Sequence, residues 1–197
     1  MVEVDVRRCG SGELVVSHDE RLGRLTDGAG RVDETPHARL RELRVENSDE
    51  RIPLLSDLLA AVPAEVGINV ELKHAGIAGD LLAILDDADN DVVLSSFDED
   101  ALAEVGARGE YPLGYLFHRS IRRLGRNWRH ALEAARNLDC AYLHPEYRLC
   151  LGRPERVERA HAAGFEVNAW TVKRARTVER LRAVGVDGVI VDDWEIV

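Results

Sequence analysis

Val66-Gly-Ile-Asn-Val-Glu-Leu-Lys73 is a run of apolar and β-branched residues bounded by turn formers, and Asp91-Val-Val-Leu-Ser-Ser-Phe97 is a second one. Between them, residues 77–88 carry apolar side chains at helical spacing. Strand, helix and strand in this order, with the strands too far apart for a hairpin, form a right-handed βα crossover and a parallel sheet. The rhythm continues downstream: helix 99–106, strand 112–118, helix 128–137, strand 140–144, helix 154–163, strand 165–172, helix 174–184 and strand 188–191.

Upstream of residue 66 the pattern is less regular. Leu54, Leu55, Leu58, Leu59 and Val62 make one helical stripe, with Pro53 near its start. Residues 38–45 show a short helical pattern, and residues 20–34 read as a polar, glycine-rich surface loop with turns at Thr26-Asp-Gly-Ala-Gly30. Val2-Glu-Val-Asp-Val6 alternates as a β-strand does, with both acids on one face and the valines on the other. Gly10-Ser-Gly12 turns the chain back into Leu14-Val-Val16, which delivers His18 and Asp19 beside that acid pair. Two adjacent carboxylates repel one another and lose hydration unless a cation neutralises them, and a hard divalent ion takes such oxygen ligands. The plainer alternative is an edge strand with a solvated acidic face. The nearby histidine favours a metal with an acid–base group next to it.

An open doubly wound sheet and a (β/α)8 barrel both fit the alternation of elements. Polar residues close almost every strand, at Glu71 and Lys73, Ser95 and Ser96, His118, His144, Trp170 and Thr171, and Asp192 and Asp193. In a barrel these converge on one mouth, so the barrel is the expected fold. Seven parallel strands are counted, the small hairpin aside, which is one short of closure.

With 197 residues and 45% hydrophobic content, the chain suits one well-buried domain over residues 1–197. Its net charge of −10 argues against nucleic acid or stable association with an anionic membrane. Lysine occurs only at positions 73 and 173 against 36 acidic residues, a balance that suits a salty, halophilic cytoplasm where screening relieves self-repulsion. Cys9, Cys140 and Cys150 show neither a disulfide framework nor zinc spacing. No signal peptide or membrane-length apolar run is visible, so the expected location is cytoplasmic. The oligomeric state is not legible.

Taken in order, Glu3-Val-Asp5, Val15-Val-Ser-His-Asp19, Arg24-Leu-Thr-Asp-Gly28, Ile52-Pro-Leu-Leu55, Val70-Glu-Leu-Lys73, Leu94-Ser-Ser-Phe97, Trp170-Thr-Val172 and Val186-Asp-Gly-Val-Ile190 resemble the glycerophosphodiester phosphodiesterases over essentially the whole chain. The resemblance implies a TIM-type barrel enzyme of the phosphatidylinositol-phosphodiesterase-like kind that hydrolyses glycerophosphodiesters to an alcohol and glycerol 3-phosphate. It implies that Glu3, Asp5 and Glu71 hold Mg²⁺ or Ca²⁺, that His18 is catalytic, and that Lys73 contacts the phosphate; Phe97, His144 and Trp170, at or next to strand ends, are the further candidates for substrate binding, with a structural role the alternative for His144. The alternative for Glu71 and Lys73 is a plain ion pair at a barrel rim.

The resemblance breaks at one place. A His-Arg-Gly motif and a following Pro-Glu-Asn-Thr motif, which belong to the family's first βα unit, are absent here. The expectation is a truncated domain with its metal site complete and one catalytic histidine missing. It is explained by a start assigned too far downstream, by a decayed and catalytically impaired phosphate- or metal-binding relic, or by a partner chain completing the barrel.

Overall fold

The structure, a computed structural model, describes residues 1–46, 48–118 and 128–197. It comprises two compact units, Met1–Tyr111 and Pro112–Val197.

In the first unit β1 (Val2–Arg8) lies between the short antiparallel β2 (Leu14–Val16) and the parallel β3 (Ile68–Leu72), which in turn pairs in parallel with β4 (Val92–Ser96). The strands alternate as expected: Val4 and Val6 are buried while Glu3 and Asp5 remain partly accessible. The β1–β2 turn carries Gly10 because residues 34 and 35 lie directly over it. A Cβ there would stand 2.7 Å from the Thr35 nitrogen, and the Gly10 N–H donates to the Thr35 carbonyl at 2.9 Å.

Helices α1 (His37–Leu40) and α2 (Leu55–Ala61) precede β3, and α3 (Ala78–Leu85) and α4 (Glu99–Gly106) flank β4 in sequence. Ala78, Leu81 and Leu85 form the buried stripe of α3, and Ala101, Leu102 and Val105 that of α4, whose start is capped by the Asp98 carboxylate accepting from Asp100 N–H at 3.0 Å. Fully burying each leucine contributes about 1.5–3 kcal/mol.

Two expectations are corrected here. Residues 20–34 are more than a surface loop: they form two 3₁₀ turns, Leu22–Arg24 and Val32–Glu34, and bury Leu22 and Val32 against Cys9, Val15, Leu40, Leu43 and Ile52. Gly23, Gly28 and Gly30 give the stretch the look of a loop, yet Leu22 and Val32 suffice to anchor it. The helix expected over 38–45 is limited to His37–Leu40, followed by turns that place Leu43 in the same cluster.

In the second unit β5 (Leu113–Phe117), β6 (Tyr142–Pro145), β7 (Glu166–Val172) and β8 (Gly188–Val191) pair in parallel in that order. Helices α5 (Trp128–Asn137), α7 (Glu155–His161) and α8 (Ala175–Ala183) lie where the 3.6-residue pattern put them, while the four-residue α6 (Arg148–Leu151) is too short to show one. All three cysteines are free and buried, as read from their spacing. Among the described residues no helix is long and apolar enough to cross a membrane.

Candidate active site

Strand alternation and parallel register build an acidic cluster in the first unit. Asp5 of β1 stands in register beside Glu71 of β3, and Glu3 beside Asn69. One carboxylate oxygen from each of Glu3, Asp5 and Glu71 lies within 4.8 Å of the other two. Glu71 is only 7% exposed, and this burial pushes its carboxyl up from the ordinary value, with Lys73 opposing the rise.

Lys73, two residues on from Glu71 and so on the same face, places its ammonium 2.6 Å from Asp5 Oδ1 and in direct contact with Glu71 Oε1. Burial alone would lower the lysine, but Glu71 and Asp5 overcome it and the pKa is raised. One ammonium against three carboxylates leaves the cluster with surplus negative charge. Three hard oxygen donors at this spacing suit Mg²⁺ or Ca²⁺.

The same face holds two residues that sequence reasoning did not place in the site. Ser95 of β4 is in register with Glu71, and its buried hydroxyl has no hydrogen-bond partner among the described residues; the same is true of Asn69 Oδ1. In the sequence Ser95 reads only as a polar strand end, and Asn69 is hidden inside an otherwise apolar run. Ser96 points the other way, donating to the Leu72 carbonyl at 2.6 Å and accepting from Asp98 N–H at 3.0 Å.

The β1–β2 hairpin returns His18 to this neighbourhood, as the Ser17 N–H donates to the Asp5 carbonyl at 2.9 Å. A protonated His18 lowers Glu71, so the two are within electrostatic range. His18 is exposed, and its Nδ1 lies 2.7 Å from Asp19 Oδ1. Asp19 in turn takes both the Nε and an Nη of Arg24, the latter at 2.8 Å. The Arg24 hydrogen bond, with a contribution from His18, holds the Asp19 carboxyl well below the usual carboxylate range. An ionised Asp19 fixes the imidazole through Nδ1 and leaves Nε2 without a hydrogen-bond partner among the described residues, the arrangement of an oriented general acid–base. The sequence does not show the Arg24–Asp19 pairing, because the intervening turn sets it.

The remaining expected residues are placed as follows. Phe97 follows β4 and is partly exposed, and His118 follows β5 and is exposed. In the second unit the His144 ring is 2% exposed and lies over Gly114, whose Cβ, if present, would meet it at 2.8 Å. His144 Nε2 is 3.3 Å from Asn168 Nδ2, and burial pulls its pKa down to about 4. The His144 backbone carbonyl accepts from the indole N–H of partly exposed Trp170 at 2.7 Å. His74 turns away from Lys73, as alternation predicts: its Nε2 accepts from Arg8 N–H at 3.3 Å and its Nδ1 meets the Ala75 carbonyl at 2.8 Å.

Known proteins share this arrangement of the chain. A glycerophosphodiester phosphodiesterase of Caldanaerobacter subterraneus subsp. tengcongensis is 30% identical over 209 residues, covering 98% of this chain and 82% of that protein. A probable glycerophosphodiester phosphodiesterase 2 of Mycobacterium tuberculosis is 29% identical, covering 97% and 75%. Among solved structures, an Oleispira antarctica phosphodiesterase in complex with its product sn-glycerol-3-phosphate matches with a TM-score of 0.85 and 30% identity, over 96% of this chain and 80% of that one. This likeness puts the chain in the TIM-type barrel class of α/β folds that the strand ends had favoured. The family model described as "Glycerophosphoryl diester phosphodiesterase family" matches residues 1–196, and on that match and these relatives the chain belongs to the glycerophosphoryl diester phosphodiesterase family.

Proposed function

We propose that this chain hydrolyses glycerophosphodiesters to an alcohol and sn-glycerol 3-phosphate. The observation that carries the reading is the three-carboxylate cluster of Glu3, Asp5 and Glu71, with Lys73 in its midst and the Asp19-held imidazole of His18 within electrostatic range. Glu3, Asp5 and Glu71 would hold Mg²⁺ or Ca²⁺, which when bound supplies Lewis-acid polarisation of a phosphoryl oxygen.

The chain's own groups do the rest. The Lys73 ammonium donates to a non-bridging phosphate oxygen and stabilises the charge that builds there in the transition state. An attacking oxygen, from water or from the neighbouring glycerol hydroxyl, bonds to phosphorus as the bond to the head-group oxygen breaks, and His18 Nε2 transfers the proton to or from these oxygens; where the hydroxyl attacks, a cyclic glycerol phosphate forms and water then adds to phosphorus as the ring P–O bond breaks. Phe97, partly exposed after β4 in the same unit as the acidic cluster, lines the substrate. The net charge of −10 disfavours nucleic acid and an anionic membrane surface as partners.

The test is release of glycerol 3-phosphate from glycerophosphocholine by purified protein with Mg²⁺ or Ca²⁺, with Glu71→Gln and His18→Asn as controls. Cation-dependent release that both substitutions suppress is expected. No release with either cation, from this diester or from glycerophosphoinositol 4-phosphate, would overturn the reading.

A further inference from the structure

β1 carries a third polar residue in step with Glu3 and Asp5, namely Arg7. Its Nε donates to the His18 carbonyl at 3.2 Å, and among the described residues no hydrogen bond or ion pair engages its two Nη groups. The guanidinium is half-buried, and the loss of hydration lowers its pKa against the pull of Asp5, Asp19 and Glu71.

Arg7 and Lys73 line a common cavity of about 350 Å³ between the ends of β1 and β3 and the 3₁₀ segment at Val32. The other charged groups of its wall are spoken for. Arg8 binds the Gly12 and Gly76 carbonyls and Asp80, Arg31 binds Glu20 and Asp33, and Lys73 binds Asp5 and Glu71. Both ring nitrogens of His74 have backbone partners. A half-buried guanidinium whose fork meets only a cavity is a site for an acceptor group, best a planar or tetrahedral anion taken bidentately.

We propose that Arg7 sets head-group specificity by receiving a carboxylate or second phosphate on the alcohol side of the diester. The proposal rests on the phosphodiesterase reading above. Two strand residues separate Arg7 from Asp5 by roughly 6.5 Å. That spacing carries Arg7 past the scissile phosphate at the acidic cluster, to where the far end of a short head group would lie. A quaternary ammonium would meet a guanidinium there and be repelled.

The experiment compares kcat/KM for glycerophosphoinositol 4-phosphate and for glycerophosphocholine in wild type, Arg7→Gln and Arg7→Lys. In Arg7→Gln the ratio of the first to the second is expected to fall by about tenfold or more, mainly through KM, the scale of one charge-assisted hydrogen bond. Arg7→Lys, which keeps the charge and loses the fork, is expected to be intermediate, and it decides alone if Arg7→Gln does not fold. A ratio equal to wild type, with both substrates losing equally, overturns the proposal and leaves Arg7 as a scissile-phosphate contact or a brace for the hairpin. If wild type hydrolyses neither diester, the phosphodiesterase reading fails separately. Calorimetric binding of the same two diesters to wild type and Arg7→Gln then gives the ratio that supports or sinks the Arg7 assignment, and absence of binding sinks it.

Discussion

The Lys73 ammonium stands 2.6 Å from the Asp5 carboxylate while also touching Glu71, so the chain carries its own counterion inside the acidic cluster. An ammonium and a divalent cation compete for the same oxygens. Lys73→Met is therefore expected to raise Mg²⁺ or Ca²⁺ affinity in the absence of substrate by about tenfold, and Asp5→Asn to lower it by about as much. Calorimetric titration of the two variants checks both signs. Unchanged affinity in Asp5→Asn would remove the cluster from consideration as the cation site. In turnover Lys73→Met is expected to lose about 10²–10³-fold in kcat, as when an oxyanion-stabilising donor is removed.

His18 owes its orientation to Asp19, and Asp19 is held in turn by Arg24. His18→Asn is expected to cost about 10²–10⁴-fold in kcat. Asp19→Asn leaves the imidazole in place but frees its ring, so a smaller loss in kcat with little change in KM is expected. Steady-state kinetics on one diester separates the two. An Asp19→Asn enzyme with wild-type kcat would show that the Asp19 contact orients nothing that matters for turnover.

Burial lowers the His144 pKa to about 4, below the ordinary value of 6.5. Between these values the unfolded chain binds a proton that the folded chain excludes. The stability tied to neutral His144 is therefore fully present above about pH 6.5 and is lost as pH falls toward 4, on the order of 3 kcal/mol in all. Urea unfolding at pH 7 and pH 4.5 is expected to show a smaller acid loss in His144→Gln than in wild type. Equal losses would mean that carboxylates alone set the acid sensitivity.

Gly114 lies under the His144 ring, with room for a hydrogen but not for a methyl group. Gly114→Ala is expected to cost about 1–3 kcal/mol by overpacking. Adding His144→Ala should recover much of that cost, so a double-mutant cycle by urea unfolding is expected to be strongly non-additive. Additive effects would show that the methyl group is accommodated elsewhere.

Thirty-six acidic residues against 26 basic ones leave a net charge of −10, whose self-repulsion salt relieves. The melting temperature is expected to rise between 0.1 M and 1 M KCl, over which the screening length falls from about 10 Å to about 3 Å. A flat or falling trend would count against adaptation to a salty cytoplasm.

The alternation of Glu3 and Asp5 with valines, the placing of Lys73 two residues on from Glu71, and the order of strands and helices from residue 66 onward are all legible in the sequence. Each rests on a local period, two for a strand and 3.6 for a helix, that side-chain chemistry writes directly into the chain. Helix Glu99–Gly106 and strand Gly188–Val191 have the limits read for them, while the strand read at 66–73 narrows to Ile68–Leu72, since pairing rather than composition decides where a strand ends.

The sequence by itself determined which residues could bind a cation and on which faces of which strands they lie. Only the tertiary structure decided that Asp5 stands beside Glu71 and Ser95 in one row, that Lys73 folds back onto both acids, that Arg24 secures Asp19, and that His144 is buried over Gly114. Those relationships join positions far apart in the chain or across an irregular turn. They depend on strand register and packing, which no local period encodes.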